Sequence, residues 1–332
     1  MKIAIAKRPS FNYEIECWTN YCNSHHVDYI LVDPYDTDVV SKVKDCEAFL
    51  WHHSQTNYKD LLFANQLLFS MQQAGKTVYP DFNTNWHFDD KVGQKYLLEA
   101  VGAPLVKSYV FYDKATALNW AESTTYPKVF KLRCGAASTN VKLVRSYNEC
   151  KKLVDKAFGK GYSPYGAGKV CGGGIKSLLL SLKHTVFRPQ KYKYIKDEKG
   201  YVYFQDFMAG NTHDTRVIVI DGKFACAEKR FNRKGDFRAS GSGSFSYEDI
   251  DTNIVKVAFE VAKKLKMQSV AFDFVYDENK NPQIVEICFG FGIKGIMHSP
   301  GYYTDDLIWH TCENPPFYEW IIEGVLSKMS FD

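Results

Sequence analysis

Apolar residues along the chain follow two periods. Lys2-Ile-Ala-Ile-Ala6 is a short continuous apolar run of the buried-strand kind, and Tyr29-Ile-Leu-Val32 and Ala48-Phe-Leu-Trp51 repeat it. Between these runs the spacing becomes helical, through Glu14–Cys22 and Leu61–Ala74. Strand and helix in alternation predict a parallel sheet, so residues 1–85 read as an N-terminal open α/β lobe. The lobe has no G-x-G-x-x-G, which argues against a dinucleotide site there and for a share in a substrate cleft.

Beyond residue 85 the pattern changes. A helix is predicted over Asp89–Gly102 with Lys91 near its start, and Pro104 opens an extended segment through Tyr109–Tyr112. Tyr126–Leu132 and Val141–Val144 read as a hairpin whose connection is built of small residues. Gly135, Ala136, Ala137, Ser138 and Thr139 leave backbone N–H groups and two hydroxyls unobstructed, as a loop closing over phosphates requires. Hairpin loops of this composition also occur without function. Gly172-Gly-Gly174 breaks the pattern before a helix around Ile175–His184. Tyr201–Phe207 and Asp214–Ile220 read as strands, the second turning at Asp221-Gly222 into Phe224–Ala227. Arg216, Lys229 and Arg230 flank these apolar runs, and Arg233, Lys234 and Arg238 follow around Asp236.

After a helix over Asp249–Leu265 come two runs rich in β-branched and aromatic residues, Ser269–Tyr276 and Gln283–Phe289, joined by Asp277-Glu-Asn-Lys-Asn-Pro282. A turn centred between Asn279 and Lys280 places Asp273 opposite Glu286 on one face. Two like charges at that separation call for a cation between them, and hard oxygen donors suit Mg²⁺ with substrate phosphates. Two solvated acids on an open sheet face are the alternative, against which stand the apolar neighbours Ala271, Val275 and Ile284.

Composition changes this picture little. The 332 residues are 45% hydrophobic and 15% aromatic, enough for a large core in two or three lobes. No run approaches the roughly 20 apolar residues of a membrane span, and no signal peptide is evident, so a cytoplasmic location is expected. Nine cysteines without C-x-x-C spacing fit reduced thiols better than disulfides or a zinc site. A net charge of +4 is too mild to imply nucleic acid. The stretch Lys156–Gly200, with only Asp197 and Glu198 against many Lys and Arg, reads as a solvated face or a surface for an anionic substrate.

Taken in order over roughly residues 85–295, these motifs resemble the ATP-grasp superfamily of carboxylate-activating ligases, which includes D-alanine ligase and glutathione synthetase. The resemblance rests on Asp90-Lys91, Lys131, the loop Gly135–Thr139, Gln205-Asp206-Phe207-Met208, Asp214-Thr-Arg216-Val217, and Asp273 with Glu286. It implies a mixed α/β and α+β ATP-grasp fold: an N-terminal lobe (1–85), a small lobe with the phosphate hairpin (86–204) and a C-terminal lobe with the metal carboxylates (205–332). It further implies that ATP is held by Lys91, Lys131, Gly135, Ala136, Ala137, Ser138 and Thr139, with Gln205, Asp206, Phe207 and Met208 at the adenine edge. Mg²⁺ would sit on Asp273 and Glu286, and Arg216 and Arg230 would hold an acyl phosphate. Arg188, Lys229, Arg233 and Arg238 are candidates for an anionic substrate, such as a sugar acid in cell-surface polysaccharide synthesis. The partners expected are a small carboxylate and an amine, and a homodimer is left open. Where the family usually carries Asn two residues after the second carboxylate, this chain has Cys288, a poor Mg²⁺ ligand. That departure keeps an ATP-binding regulatory or scaffolding protein open, and a kinase on the same scaffold is the third reading.

Overall fold

The computed structural model describes residues 1–8, 13–135, 138, 140–163 and 194–329. The N-terminal sheet holds β1 (Lys2–Ala6), β2 (Asp28–Val32), β3 (Ala48–Leu50) and β4 (Thr77–Tyr79), all parallel in the order β2-β1-β3-β4. Its strands are apolar on both sides because both are covered. Ile3, Ile5 and Leu50 pack with Trp18 of the helix Tyr13–Ser24. Ala4, Ala6 and Phe49 pack with Ala64, Leu68 and Met71 of the helix Tyr58–Gln73.

The second sheet is antiparallel: β5 (Ser108–Phe111), β6 (Lys128–Lys131), β7 (Val141–Val144) and β8 (Val202–Asp206), in the order β5-β8-β6-β7. Phe130 and Phe204 face a cover of two helices, Lys114–Ser123 and Tyr147–Phe158, through Ala117, Ala121 and Val154. Alternation then turns Val129, Lys131, Tyr203 and Gln205 the other way. The Gly172–Gly174 break and the helix expected near Ile175–His184 lie outside the described residues.

The third sheet is formed by β9 (His213–Ile220), β10 (Phe224–Phe231), β11 (Phe245–Ser246), β12 (Ser269–Tyr276), β13 (Pro282–Cys288), β14 (Gly301–Thr304) and β15 (Trp309–Thr311). Its order is β13-β12-β9-β10-β14-β15, with β11 beside β10. Val217, Val219, Phe272, Phe274 and Ile287 pack under the helix Thr252–Leu265, while Ile218, Ile220 and Ala271 share a core with the helix Phe317–Met329 and Trp18 of the first lobe. The Phe317–Met329 helix and the strands β4, β14 and β15 add to what the sequence pattern predicts.

Two of the connections between the sheets are anchored on the backbone. Ile284 N donates to Pro104 O at 2.6 Å and Val106 N to Ile284 O at 3.0 Å, so the segment entering β5 first runs along the edge of β13. Gln268 clasps the first lobe: its Nε2 donates to Val78 O at 2.8 Å, its Oε1 accepts from Asp81 N at 2.8 Å, and its backbone N donates to Thr84 Oγ1 at 2.9 Å. Gln268→Ala strips the partners from a buried carbonyl and from the Asp81 N–H, which should lower global stability by about 2 kcal/mol or more. Urea denaturation should show a lower midpoint at unchanged slope.

Candidate active site

The site is built on one face of the third sheet. From the turn, Tyr276 pairs Pro282, Val275 pairs Gln283 and Phe274 pairs Ile284; the register then shifts, and Asp273 faces Glu286. The turn is therefore centred on Asn279, not between Asn279 and Lys280, and regular pairing would have set Val285 opposite Asp273. A bulge supplies the extra residue and re-aims the strand. The same bulge corrects a second expectation, because Ile284 falls on the far face in the core with Phe272, Phe274 and Ile287.

The register continues across the sheet, with Asp273 opposite Arg216 and Arg216 opposite Glu228. Four charged side chains, Glu286, Asp273, Arg216 and Glu228, thus form one row over β13, β12, β9 and β10. Arg216 forks onto Asp273, Nε to Oδ1 at 2.8 Å and Nη2 to Oδ2 at 3.0 Å. Arg230 forks onto Asp214 at 2.6 and 2.7 Å and also reaches Asp273 Oδ2 at 2.8 Å. Glu286 is met by Lys91 Nζ at 2.8 Å, which also donates to Gly135 O at 3.0 Å. The two acids are opposed as expected, but each has its own protein cation.

Lys91 owes its place to a helix start. The Asp90 carboxylate caps the helix Lys91–Ala100, accepting from Val92 N at 3.1 Å and Gly93 N at 2.9 Å. Across the cleft, Lys131 Nζ donates to Gln205 Oε1 at 2.6 Å, and Gln205 Nε2 to Ser108 Oγ at 3.1 Å. Between the two sheets lies a cleft of about 300 Å³, reaching from Gln205 and Met208 past Lys131 to Asp273, Glu286 and Gly290.

Burial sets the electrostatics. It pushes the Lys131 ammonium down to about 8, helped by Lys91 and opposed by Glu286. It pushes the Glu228 carboxyl up to about 7, against the pull of Arg216 and Arg230. Burial would also raise Asp273, but the two guanidiniums hold that carboxyl well below the usual range. The Cys288 thiol is pushed up to about 12 by burial and by Glu286, so it stays protonated at neutral pH in the metal-free protein, and its soft sulfur suits Mg²⁺ poorly. The donor set that remains, two opposed carboxylates, fits a hard cation sharing its shell with ligand oxygens. No cluster of three or more His, Cys, Asp or Glu with metal-binding geometry occurs among the described residues.

Of the other residues expected here, Gly135 N donates to Asp89 Oδ1 at 2.7 Å, and Arg238 Nη1 donates across the cleft to Ser138 O at 3.1 Å. Arg238 is itself anchored by Asp236, and Arg233 contacts Ser240 O. Phe207 stacks edge-on to Phe237 with centroids 5.7 Å apart. Asp206 borders the cleft, yet its carboxylate is taken by Lys128 at 2.6 Å. Lys229 alternates with Glu228 and Arg230, which turns it to the opposite sheet face, away from the cleft. Ala136, Ala137, Thr139 and Arg188 lie outside the described residues. Glu228 was missed from sequence. A lone acid in Phe224-Ala-Cys-Ala-Glu228, reflected through the Asp221-Gly222 turn onto Arg216, was the signal that would have found it.

Comparison with known proteins agrees with this architecture. Residues 176–308 match the RimK-like ATP-grasp domain family. The chain is 22% identical over 220 residues to the alpha-aminoadipate–LysW ligase LysX of Saccharolobus solfataricus, covering 66% of this chain and 68% of that one. Among solved structures, a RimK domain ATP-grasp protein from Sphaerobacter thermophilus superposes with a TM-score of 0.63 at 14% identity, over 98% of this chain and 100% of that one. D-cycloserine synthetase DcsG gives 0.64 at 12% identity, over 99% and 100%. D-alanine–D-alanine ligase from Bacillus anthracis, complexed with ATP, gives 0.56 at 13% identity, over 99% and 97%. No helix among the described residues is long and apolar enough to cross a membrane. The resemblance read from the motifs is borne out: the chain has the ATP-grasp fold, the architecture of a group of ATP-dependent ligases, and its region 176–308 is similar to the RimK-like branch of that fold.

Proposed function

We propose that this protein is an ATP-dependent carboxylate–amine ligase that works through an acyl phosphate. The observation that carries the reading is the row Glu286, Asp273 and Arg216 on the cleft floor, facing Lys131 and the Gly135 loop across the gap. Two of the similar proteins named above, LysX and D-alanine–D-alanine ligase, are ligases by name and join different partners, so they support the reaction class rather than a substrate.

A carboxylate is a poor electrophile. In the proposed reaction a carboxylate oxygen attacks the γ-phosphorus of ATP, the bond to the bridging β–γ oxygen breaks, and ADP leaves. The amine nitrogen then attacks the acyl carbon, inorganic phosphate departs with the former carboxylate oxygen, and the nitrogen loses its proton to give the amide. Such a transfer needs positioning and charge neutralisation more than covalent help from the protein. Lys91 and Lys131 neutralise phosphate oxygens. Arg216 and Arg230 present guanidinium forks to the phosphoryl group. Gln205 and the 206–208 backbone would border the adenine, and Asp273 and Glu286 would hold Mg²⁺, whose charge would neutralise the polyphosphate. The finer reading, a sugar acid or another anionic small molecule as the carboxylate, rests on Arg238 and Phe237 at the cleft wall.

Thermal denaturation should show a higher Tm with ATP and Mg²⁺ together than with either alone, by ligand linkage. A Tm unmoved at saturating MgATP would end the proposal. Glu286→Gln should keep nucleotide binding while turnover, read as carboxylate- and amine-dependent phosphate release, falls at least about a hundredfold.

Lys131 adds a pH signature. Its ammonium, lowered to about 8 in the nucleotide-free protein, is partly neutral at pH 8, and an adjoining phosphate favours the charged form. Nucleotide binding near pH 8 should therefore take up protons, and affinity should fall as pH rises above 8. Calorimetry in buffers of different ionisation heat should detect this in the wild type and find it absent in Lys131→Met.

A further inference from the structure

Arg216 stands between two carboxylates, because the register sets it opposite Asp273 on one side and opposite Glu228 on the other. Directly paired residues on one face have Cβ atoms about 4.5–5.5 Å apart, so one guanidinium has both within its swing. Among the described residues it hydrogen-bonds one of them alone: both of its bonds go to Asp273, which receives a third contact from Arg230. Glu228 is 2% exposed, and its Oε2 has no hydrogen-bond partner among the described residues. A buried carboxyl oxygen without a donor is costly, and one on the row that floors the cleft calls for an explanation.

The explanation comes from what the ligase reading asks of Asp273, and it rests on that reading. A carboxylate offers about four lone-pair positions, and guanidinium N–H groups fill three of those on Asp273. A divalent cation held there would also meet two guanidinium charges at short range. Arg230 can give up its contact with Asp273 at little cost, since Asp214 binds it at 2.6 and 2.7 Å. Arg216 has no second carboxylate of that kind. Released into a buried site before an acyl phosphate has formed for it to bind, it would be an unpaired charge.

We propose that Glu228 is a positioning residue that takes over the Arg216 guanidinium when Asp273 turns to its metal ion. Arg216 then pivots from one cross-strand neighbour to the other and stays paired, on the side of the row away from the ion. The loop beyond β13 leaves room for the acceptor. A Cβ on Gly295 would lie 2.3 Å from Glu228 Oε2, and Tyr247 fixes that glycine by donating to its carbonyl at 2.6 Å.

The test is Mg²⁺ binding to the full chain saturated with ADP, followed by calorimetry, so that the readout is independent of turnover. Glu228→Gln should weaken Mg²⁺ roughly tenfold while leaving ADP affinity without Mg²⁺ unchanged, and Glu228→Leu, of similar volume and without a carboxylate, should do likewise and serves if the amide variant does not fold. Because Glu228 acts through Arg216, adding Glu228→Gln to Arg216→Met should change Mg²⁺ affinity by less than about twofold. Wild-type Mg²⁺ affinity in both Glu228 variants, or an undiminished loss when Arg216 is already absent, overturns the proposal and leaves the ligase reading standing. A wild-type ADP complex that does not respond to Mg²⁺ at all overturns both.

Discussion

Charge compensation on a desolvated sheet face is the constraint around which the cleft is organised. Asp273 is only 14% exposed and sits at the centre of a four-strand row. Placing a carboxylate there costs several kcal/mol unless cations and hydrogen bonds meet it. Two guanidiniums do so, one from the neighbouring strand and one from the strand beyond, and Asp214 in turn fixes the second. Glu286 is handled from outside the sheet, by Lys91 at a helix start. The helix Lys91–Ala100, the loop at Gly135 and the third sheet are thus tied by one ammonium group.

The lobes meet where such ties are made. The backbone at Pro104–Val106 lies along β13 before entering the second sheet, and Gln205 of that sheet reaches back toward Val285 O at 3.4 Å, at the bulge itself. The irregularity that sets Asp273 against Glu286 therefore also exposes a carbonyl toward the small lobe. The opposed acids and the Gln205 wall of the cleft share one piece of backbone, which links their geometries. On the far side, Gln268 and the Tyr79–Ser269 hydroxyl pair, 2.8 Å apart, hold the first lobe to the strand that carries Asp273.

Much of this was legible in the sequence, because it rests on local rules. Periods of two and of 3.6 marked β1, β2, β3, β8, β9 and β12 and the helices Tyr13–Ser24 and Thr252–Leu265. Turn chemistry at Asp221-Gly222 and at Asp277–Pro282 marked both hairpins. Strands β4 and β15, with three residues each, carry too few alternations to register, whereas the equally short β3 was marked by the unbroken apolar run Ala48–Trp51 that extends past it.

Sequence by itself determined which residues share a strand and, through alternation, that Asp273 and Glu286 oppose each other on one face, while the company of Arg216 and Arg230 was implied by the ATP-grasp resemblance. What it left to the tertiary structure was everything that depends on contacts between distant segments. The bulge at Val285, the transfer of Ile284 to the opposite core and the cations chosen by each acid follow from strand edges and lobes that meet only in the folded chain. Lys229 and Arg230 are adjacent and alike in sequence, yet one turns from the cleft and the other braces its floor. A side chain's chemistry is local, whereas its burial and its partners belong to the whole fold.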